Sequence, residues 1–195
     1  MNEFALALLE AFLNSHASER AEWFDPEHPE FFDEWARGPA AADGVQDGTP
    51  EVAATTGETI RRLAGAERAS SEDVATARDV RDALLALLLG DGDGAPSDLD
   101  ALLARLPVRL RATAAGRIDL EAAGTGPTAV AAAALLAAHD LAVEGAWERL
   151  RLCRADDCHW AYFDRSKNRS RVWCDMKVCG ARAKARAYRD RQRVT

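Results

Sequence analysis

Aromatic residues make up only 7% of this 195-residue chain, and β-branched residues are sparse. Strands are built mainly from those residue types, so a large sheet is excluded. Long apolar runs are missing too. The Ala-rich stretch from Pro127 is interrupted by His139, Asp140 and Glu144 before it reaches the ~20 apolar residues that a bilayer requires. The first fifteen residues hold no Lys or Arg and include Glu3 and Glu10, which is not the pattern of an export signal. The expectation is a cytoplasmic protein without a membrane partner. Signs of catalysis are also lacking. No Ser or Cys nucleophile is paired with a nearby His, and the adjacent His139 and Asp140 do not share a helix face. Gly124–Pro127 lacks the Lys of a phosphate loop, and the turn at 91–96 lacks later acids at calcium-loop spacing. The chain is therefore expected not to be an enzyme.

Alanine and leucine dominate what is present, and both favour helices. Apolar residues recur at helical spacing over 2–14 (Phe4, Ala5, Leu8, Leu9, Phe12, Leu13), and Asn14-Ser15 ends that helix. Further helices are predicted over 30–36, over 51–64 before Gly65, from Ser70 to Gly90, and in a short piece before Pro107. Residues 39–50 read as loop. Residues 108–111 and 117–121 alternate apolar and polar, which predicts a β-hairpin with one buried face. Residues 127–149 read as the longest helix and the buried centre of the fold. The aromatic cluster near the start, including Trp23 and Trp35, is either core or the lining of a small-molecule pocket. With Asn14 it forms the candidate effector site.

Cysteine is rare: the four lie at 153, 158, 174 and 179. Four residues separate the members of each pair, and fifteen separate the pairs. Two close pairs with a medium spacer are the pattern of a tetrahedral zinc site, with Cys153, Cys158, Cys174 and Cys179 as ligands of one structural Zn²⁺. Two disulfides would need an oxidising compartment, which the expected location does not supply. His159 directly follows a cysteine and reads as a surface residue of its knuckle. Ala161–Phe163 and Arg171–Trp173 read as the two strands of a hairpin, and Gly180 opens a helix. Knuckle, hairpin and ligand-bearing helix follow in treble-clef-like order. At 100° per residue, Arg182, Arg186, Arg189 and Arg193 fall on one stripe of that helix, while Ala181, Ala185 and Tyr188 form a side expected to pack on the hairpin.

Charge is divided unevenly. Residues 151–195 carry net +8 and residues 1–150 carry net −15. Four thiolates with Zn²⁺ lower the tail to about +6. A basic module on an acidic body points to a polyanionic partner, or to the body's own acids.

The run from Cys153 to Arg182 resembles the CGNR-type zinc finger of bacterial proteins. The matching residues are Cys153, Cys158, Trp160, Phe163, Asp164, Ser166, Asn168, Arg171, Trp173, Cys174, Met176, Cys179, Gly180 and Arg182. The signature Asn is Ala181 here. In that family the finger follows an ABATE domain, in proteins described as stress-induced transcription regulators. The resemblance implies a mainly α protein, with an ABATE-like helical domain over 1–150 that carries the small hairpin, and the finger with its basic helix over 151–195. It implies DNA as partner. Arg182, Arg186, Arg189 and Arg193 would contact the duplex, with Arg169, Arg171, Lys167 and Lys177 as flanking phosphate contacts. A small-molecule effector and a homodimer are compatible with it. The alternative reading is a zinc-stabilised protein-interaction module, or a small-molecule sensor that does not touch DNA.

Overall fold

The computed structural model describes residues 2–16, 22–46, 48–90 and 99–193, with Leu99 and Arg193 described for their backbone only. Helix α1 (Glu3–Leu13) starts where the Asn2 carboxamide oxygen accepts from the Phe4 and Ala5 amides, at 3.1 and 3.4 Å. Its apolar positions Leu6, Leu9, Phe12 and Leu13 are buried. The helix closes in a tight turn over Asn14–His16. Helix α2 (Glu30–Arg37) contributes Phe32 and Trp35 to an aromatic cluster around Phe24. Residues 39–50 are not all loop: Pro39 precedes a short helix, α3 (Ala40–Asp43), whose Ala41 is buried. Pro at a helix start followed by three alanines favours that turn locally. Helix α4 (Pro50–Ala64) is capped by Thr49 and helix α5 (Ser71–Leu89) by Ser70, each hydroxyl accepting a backbone N–H three residues on. The expected turn at 91–96 lies outside the described residues. Helix α6 (Leu99–Ala104) leads to the hairpin β1 (Val108–Ala112) and β2 (Ile118–Ala122).

Helix α7 (Pro127–Val143) is the centre of the molecule and packs against α1, α4 and α5. Ala129–Ala132, Ala134, Ala137 and Ala138 are buried, and their small side chains let three helices approach one axis. The helix is six residues shorter than expected, and α5 with its 19 residues is longer. Gly145, at φ 67°, supplies the left-handed residue that ends α7, and a tight turn over Trp147–Arg149 follows. Among the described residues no helix is long and apolar enough to cross a membrane.

The hairpin departs from its pattern. Leu110 pairs with Leu120 and Ala112 with Ile118, so the apolar side chains share a face as expected. That face points outward: Leu110 and Ile118 are 71% and 72% exposed. The charged face is open too over β1, where the Arg109 and Arg111 side chains are each 64% exposed, and Glu121 of β2 is the charged residue drawn in. There Glu121 accepts from Arg109 at 2.7 Å and from Arg111 at 3.2 Å, beside Leu8, Arg62 and Leu63. Ala122 alone of the six paired apolar residues packs on the core. Alternation specifies two faces but not which one meets the body; the anchoring of β2 on α7 decides it.

Candidate metal centre

Strand β3 (Leu150–Leu152) pairs antiparallel with β4 (Ala161–Phe163), and the first cysteine knuckle is the loop between them. The expected partner of β4, residues 171–173, forms no strand. The segment after β4 is instead folded around Asp164. Its buried carboxylate accepts from the Ser166 amide at 2.9 Å and the Arg171 amide at 3.0 Å. Burial pushes this carboxyl up, but those hydrogen bonds outweigh burial and hold it below the ordinary Asp range. The Arg171 guanidinium donates to the Trp173 carbonyl at 2.9 Å and to the Cys174 carbonyl, and lies 4.9 Å over the Tyr162 ring. Side chains thus take the backbone partners that a hairpin ladder would have used.

The other edge of β4 is also closed by side chains. Asn14 and Glu10, one turn apart on α1, replace a neighbouring strand. Asn14 accepts from the Ala161 amide at 2.7 Å and donates to the Ala161 carbonyl at 2.9 Å, and Glu10 accepts from the Phe163 amide at 2.9 Å. Leu150, Ala161 and Phe163 belong to the same buried cluster as α1 and α7. The finger is therefore rooted in the helical body without a linker.

The four cysteine sulfurs lie within 4.8 Å of one another. Cys158–Cys174 and Cys174–Cys179 are separated by 3.6 and 3.7 Å. A tetrahedron of sulfurs 2.3 Å from a central Zn²⁺ has edges of about 3.8 Å, so the donor set fits zinc. Cys153, Cys174 and Cys179 are buried and Cys158 is half-buried. Burial pushes the Cys158 thiol up to about 11 and that of Cys174 further still. Neutral thiols suit the metal-free site, and zinc must displace their protons. Cys179 goes the other way. Burial raises it, but the hydrogen bond from Arg182 Nη2 to its sulfur, 3.3 Å long, and the neighbouring thiols bring it down. The second knuckle is shaped by Asp175, which accepts from the Lys177 and Val178 amides at 2.6 and 2.9 Å and so starts the wide turn Met176–Gly180. A Cβ on Gly180 would fall 2.5 Å from Met176 Sδ and 3.1 Å from Trp173 Cδ1, so a larger residue there would have to displace the exposed Met176 side chain.

The basic helix, α8 (Ala181–Arg193), continues from that turn. Its expected packed side is not packed: Ala181, Ala185 and Tyr188 are exposed, and the main contact of α8 among the described elements is with the turn Met176–Gly180. Once residues 171–173 leave the hairpin, no strand remains for that side to cover. Arg182 pairs with Asp157 at 3.2 Å, and Arg186 pairs with Asp156. The stripe's first two arginines are thus engaged by the first knuckle, while Arg189 is exposed; the Arg193 side chain lies outside the described residues. Of the flanking cations, Lys167 and Lys177 are exposed, Arg169 pairs with Glu148 at 2.8 Å, and Arg171 is held by the loop as described. Ala181, at the signature Asn position, faces solvent.

None of the described cavities is lined by Asn14, Trp23 or Trp35. Asn14 is satisfied by Ala161 and by the Gly44 carbonyl at 2.9 Å, and Trp35 is 1% exposed within the core. Trp23 is half-buried against that core. Arg81, which the sequence reading passed over, is 2% exposed and lies 5.4 Å over the Phe24 ring, donating to Ser15 at 3.3 Å and to Glu22. His139 and Asp140 come within 3.7 Å but are both exposed, and His159 is exposed as expected. Glu10 and Asp175 were also missed. An acid inside an apolar helical stripe, and an Asp directly after a cysteine, are the signals that mark them.

Four convergent thiols on two knuckles define a zinc finger with one closed, structural site. The comparison with protein families adds the kind: residues 149–192 match the CGNR zinc finger. No curated protein matches the chain.

Proposed function

We propose that the zinc finger binds duplex DNA through α8 and that the chain is a cytoplasmic transcription regulator, not an enzyme. The observation that carries this is the exposure of α8. A 13-residue helix rich in arginine stands out from the finger with almost no side packed. Helices this short are marginal in water alone, so a partner surface is expected to complete it. Its length, about 20 Å, and its width suit the major groove. The Arg182–Asp157 and Arg186–Asp156 pairs tie its root to the first knuckle and set the direction in which it leaves. Arg189, with Lys177 in the turn that leads into α8 and the exposed Lys167, then supplies the phosphate contacts. Zinc in this reading is structural, since four cysteines leave no open coordination position. An ABATE-like assignment of the helical body and a role in stress response follow from the sequence resemblance of the finger.

Anisotropy of a labelled random duplex, titrated with zinc-loaded protein across salt, tests the reading. Arg189→Ala should weaken binding and reduce the salt slope by about one, with Arg186→Ala changing the slope less. An absent or salt-independent signal would overturn DNA binding. It would favour a protein partner, for which Met176, Val178 and Tyr188, each more than half exposed beside the arginines, offer apolar contacts.

A further inference from the structure

A cleft of ≈ 840 Å³ separates the carboxyl-terminal end of α5 from the first zinc knuckle. Its size lies within the range that small-molecule sites occupy, about 300–1,000 Å³. Its apolar lining includes Leu87 and Leu88 of α5 and Trp147. Arg151 and Arg154 line the same cleft. Arg151 lies directly across the β3–β4 pair from Tyr162, so the two share the sheet face that looks into the cleft, while their neighbours Leu150 and Phe163 enter the core. Arg154 is placed by its amide, which donates to the Val172 carbonyl at 3.2 Å.

The charge of these arginines is met only at a distance, by the buried Asp164 carboxylate, which Arg151 helps keep ionised. Two acids reach the rim, and both are engaged elsewhere: Glu148 by Arg169 and Asp156 by Arg186. Neither the Arg151 nor the Arg154 side chain forms an ion pair or hydrogen bond with a described residue. Two guanidiniums without an ion pair, in one cleft with leucine and tryptophan side chains, select a ligand that is anionic at one end and apolar at the other. We propose that the cleft binds a small organic anion with an apolar body, such as an aromatic or branched-chain carboxylate, sulfonate or phosphate ester. The head meets Arg151 and Arg154, and the body lies on Leu87, Leu88 and Trp147. Such a ligand bridges α5 and the knuckle that carries Cys153, so it joins helical body and finger whether or not α8 binds DNA.

The test uses the zinc-loaded full chain and two fluorescent probes of similar shape. These are 8-anilinonaphthalene-1-sulfonate, which is anionic, and N-phenyl-1-naphthylamine, which is neutral. The anionic probe should saturate at one per chain and bind about tenfold more tightly than the neutral one, the effect of one charge-assisted contact. Arg151→Ala/Arg154→Ala should remove that preference and leave the neutral probe within about twofold. Leu110→Ser, on the exposed hairpin, should change neither. Equal affinity of the two probes for the unaltered protein overturns the proposal even if the double variant fails to fold. So does a double variant that keeps its preference for the anion. A double variant that loses duplex affinity while still preferring the anionic probe would assign these arginines to the nucleic-acid surface, and also overturns it.

Discussion

Two side chains show how little of this finger is left to the metal alone. Arg182 stands in the basic stripe, yet its guanidinium is spent on the Cys179 sulfur and on Asp157. Hydrogen bonds to a metal-ligand sulfur tune the site they support, and their loss costs about 10–100-fold in metal affinity. Arg182→Met should therefore weaken zinc in a chelator competition by about that factor, while Arg189→Met leaves it unchanged. Equal zinc affinity in the two variants would show that the contact has no such role. Asp164 is the second case. It is fully buried and accepts two backbone amides, and its own amide donates to the Arg149 carbonyl at 2.7 Å. Asp164→Ala orphans those amides and should cost about 2–4 kcal/mol in urea denaturation followed by tryptophan fluorescence. Because its folded-state pKa is depressed, this contribution is present above the ordinary Asp value of about 3.9 and is lost as pH falls through the lower folded value. A stability profile flat through that acid range would contradict the assignment.

Among the elements, the β1–β2 hairpin and α1 make opposite demands on their apolar residues. Both display a clear pattern, of period two in one and 3.6 in the other. Leu9 of α1 is fully buried, whereas Leu110 of β1 is 71% exposed. Leu9→Ala should cost about 2–5 kcal/mol, and Leu110→Ser should stay within about 0.5 kcal/mol, both by thermal or chemical denaturation. A large loss for Leu110→Ser would mean that the outward face is covered in solution. Helix α8 is a third kind of element, with neither a buried stripe nor a packed partner. It is kept in place by its covalent continuation from the second knuckle and by two ion pairs at its root.

In the molecule as a whole, finger and helical body share one core. Leu150, Ala161 and Phe163 lie inside it, and Asn14 and Glu10 take the place of a strand beside β4. Zinc removal should therefore not release the finger as a unit. Structural zinc contributes an apparent ~10–16 kcal/mol in finger peptides, far more than the few apolar residues around these cysteines supply. Chelation followed by hydrogen exchange should show early loss of protection over 164–193, with β4 amides retained at the level of α1. Loss of β4 together with α8 would show that the metal, not the body, holds that strand. Asn14→Ala should then uncouple β4 and speed its exchange even with zinc bound.

The zinc site, the helical class and most helix ends were legible in the chain because they depend on local facts. Cysteine spacing, a Ser or Thr before a helix, an apolar period of 3.6 and a glycine where φ must be positive each act over a few residues. Pairing and orientation were not legible. Ala161–Phe163 reads correctly as a strand, but its neighbours are Leu150–Leu152 on one edge and two side chains of α1, about 150 residues away in sequence, on the other. The alternation of β1 and β2 is as written, but its apolar face is left to solvent except at Ala122, which packs on the core. The arginines of α8 repeat as the helical period requires, yet Asp156 and Asp157 decide which of them remain exposed. Such choices are made between segments that the chain keeps far apart, and they exist only once the core has brought those segments together.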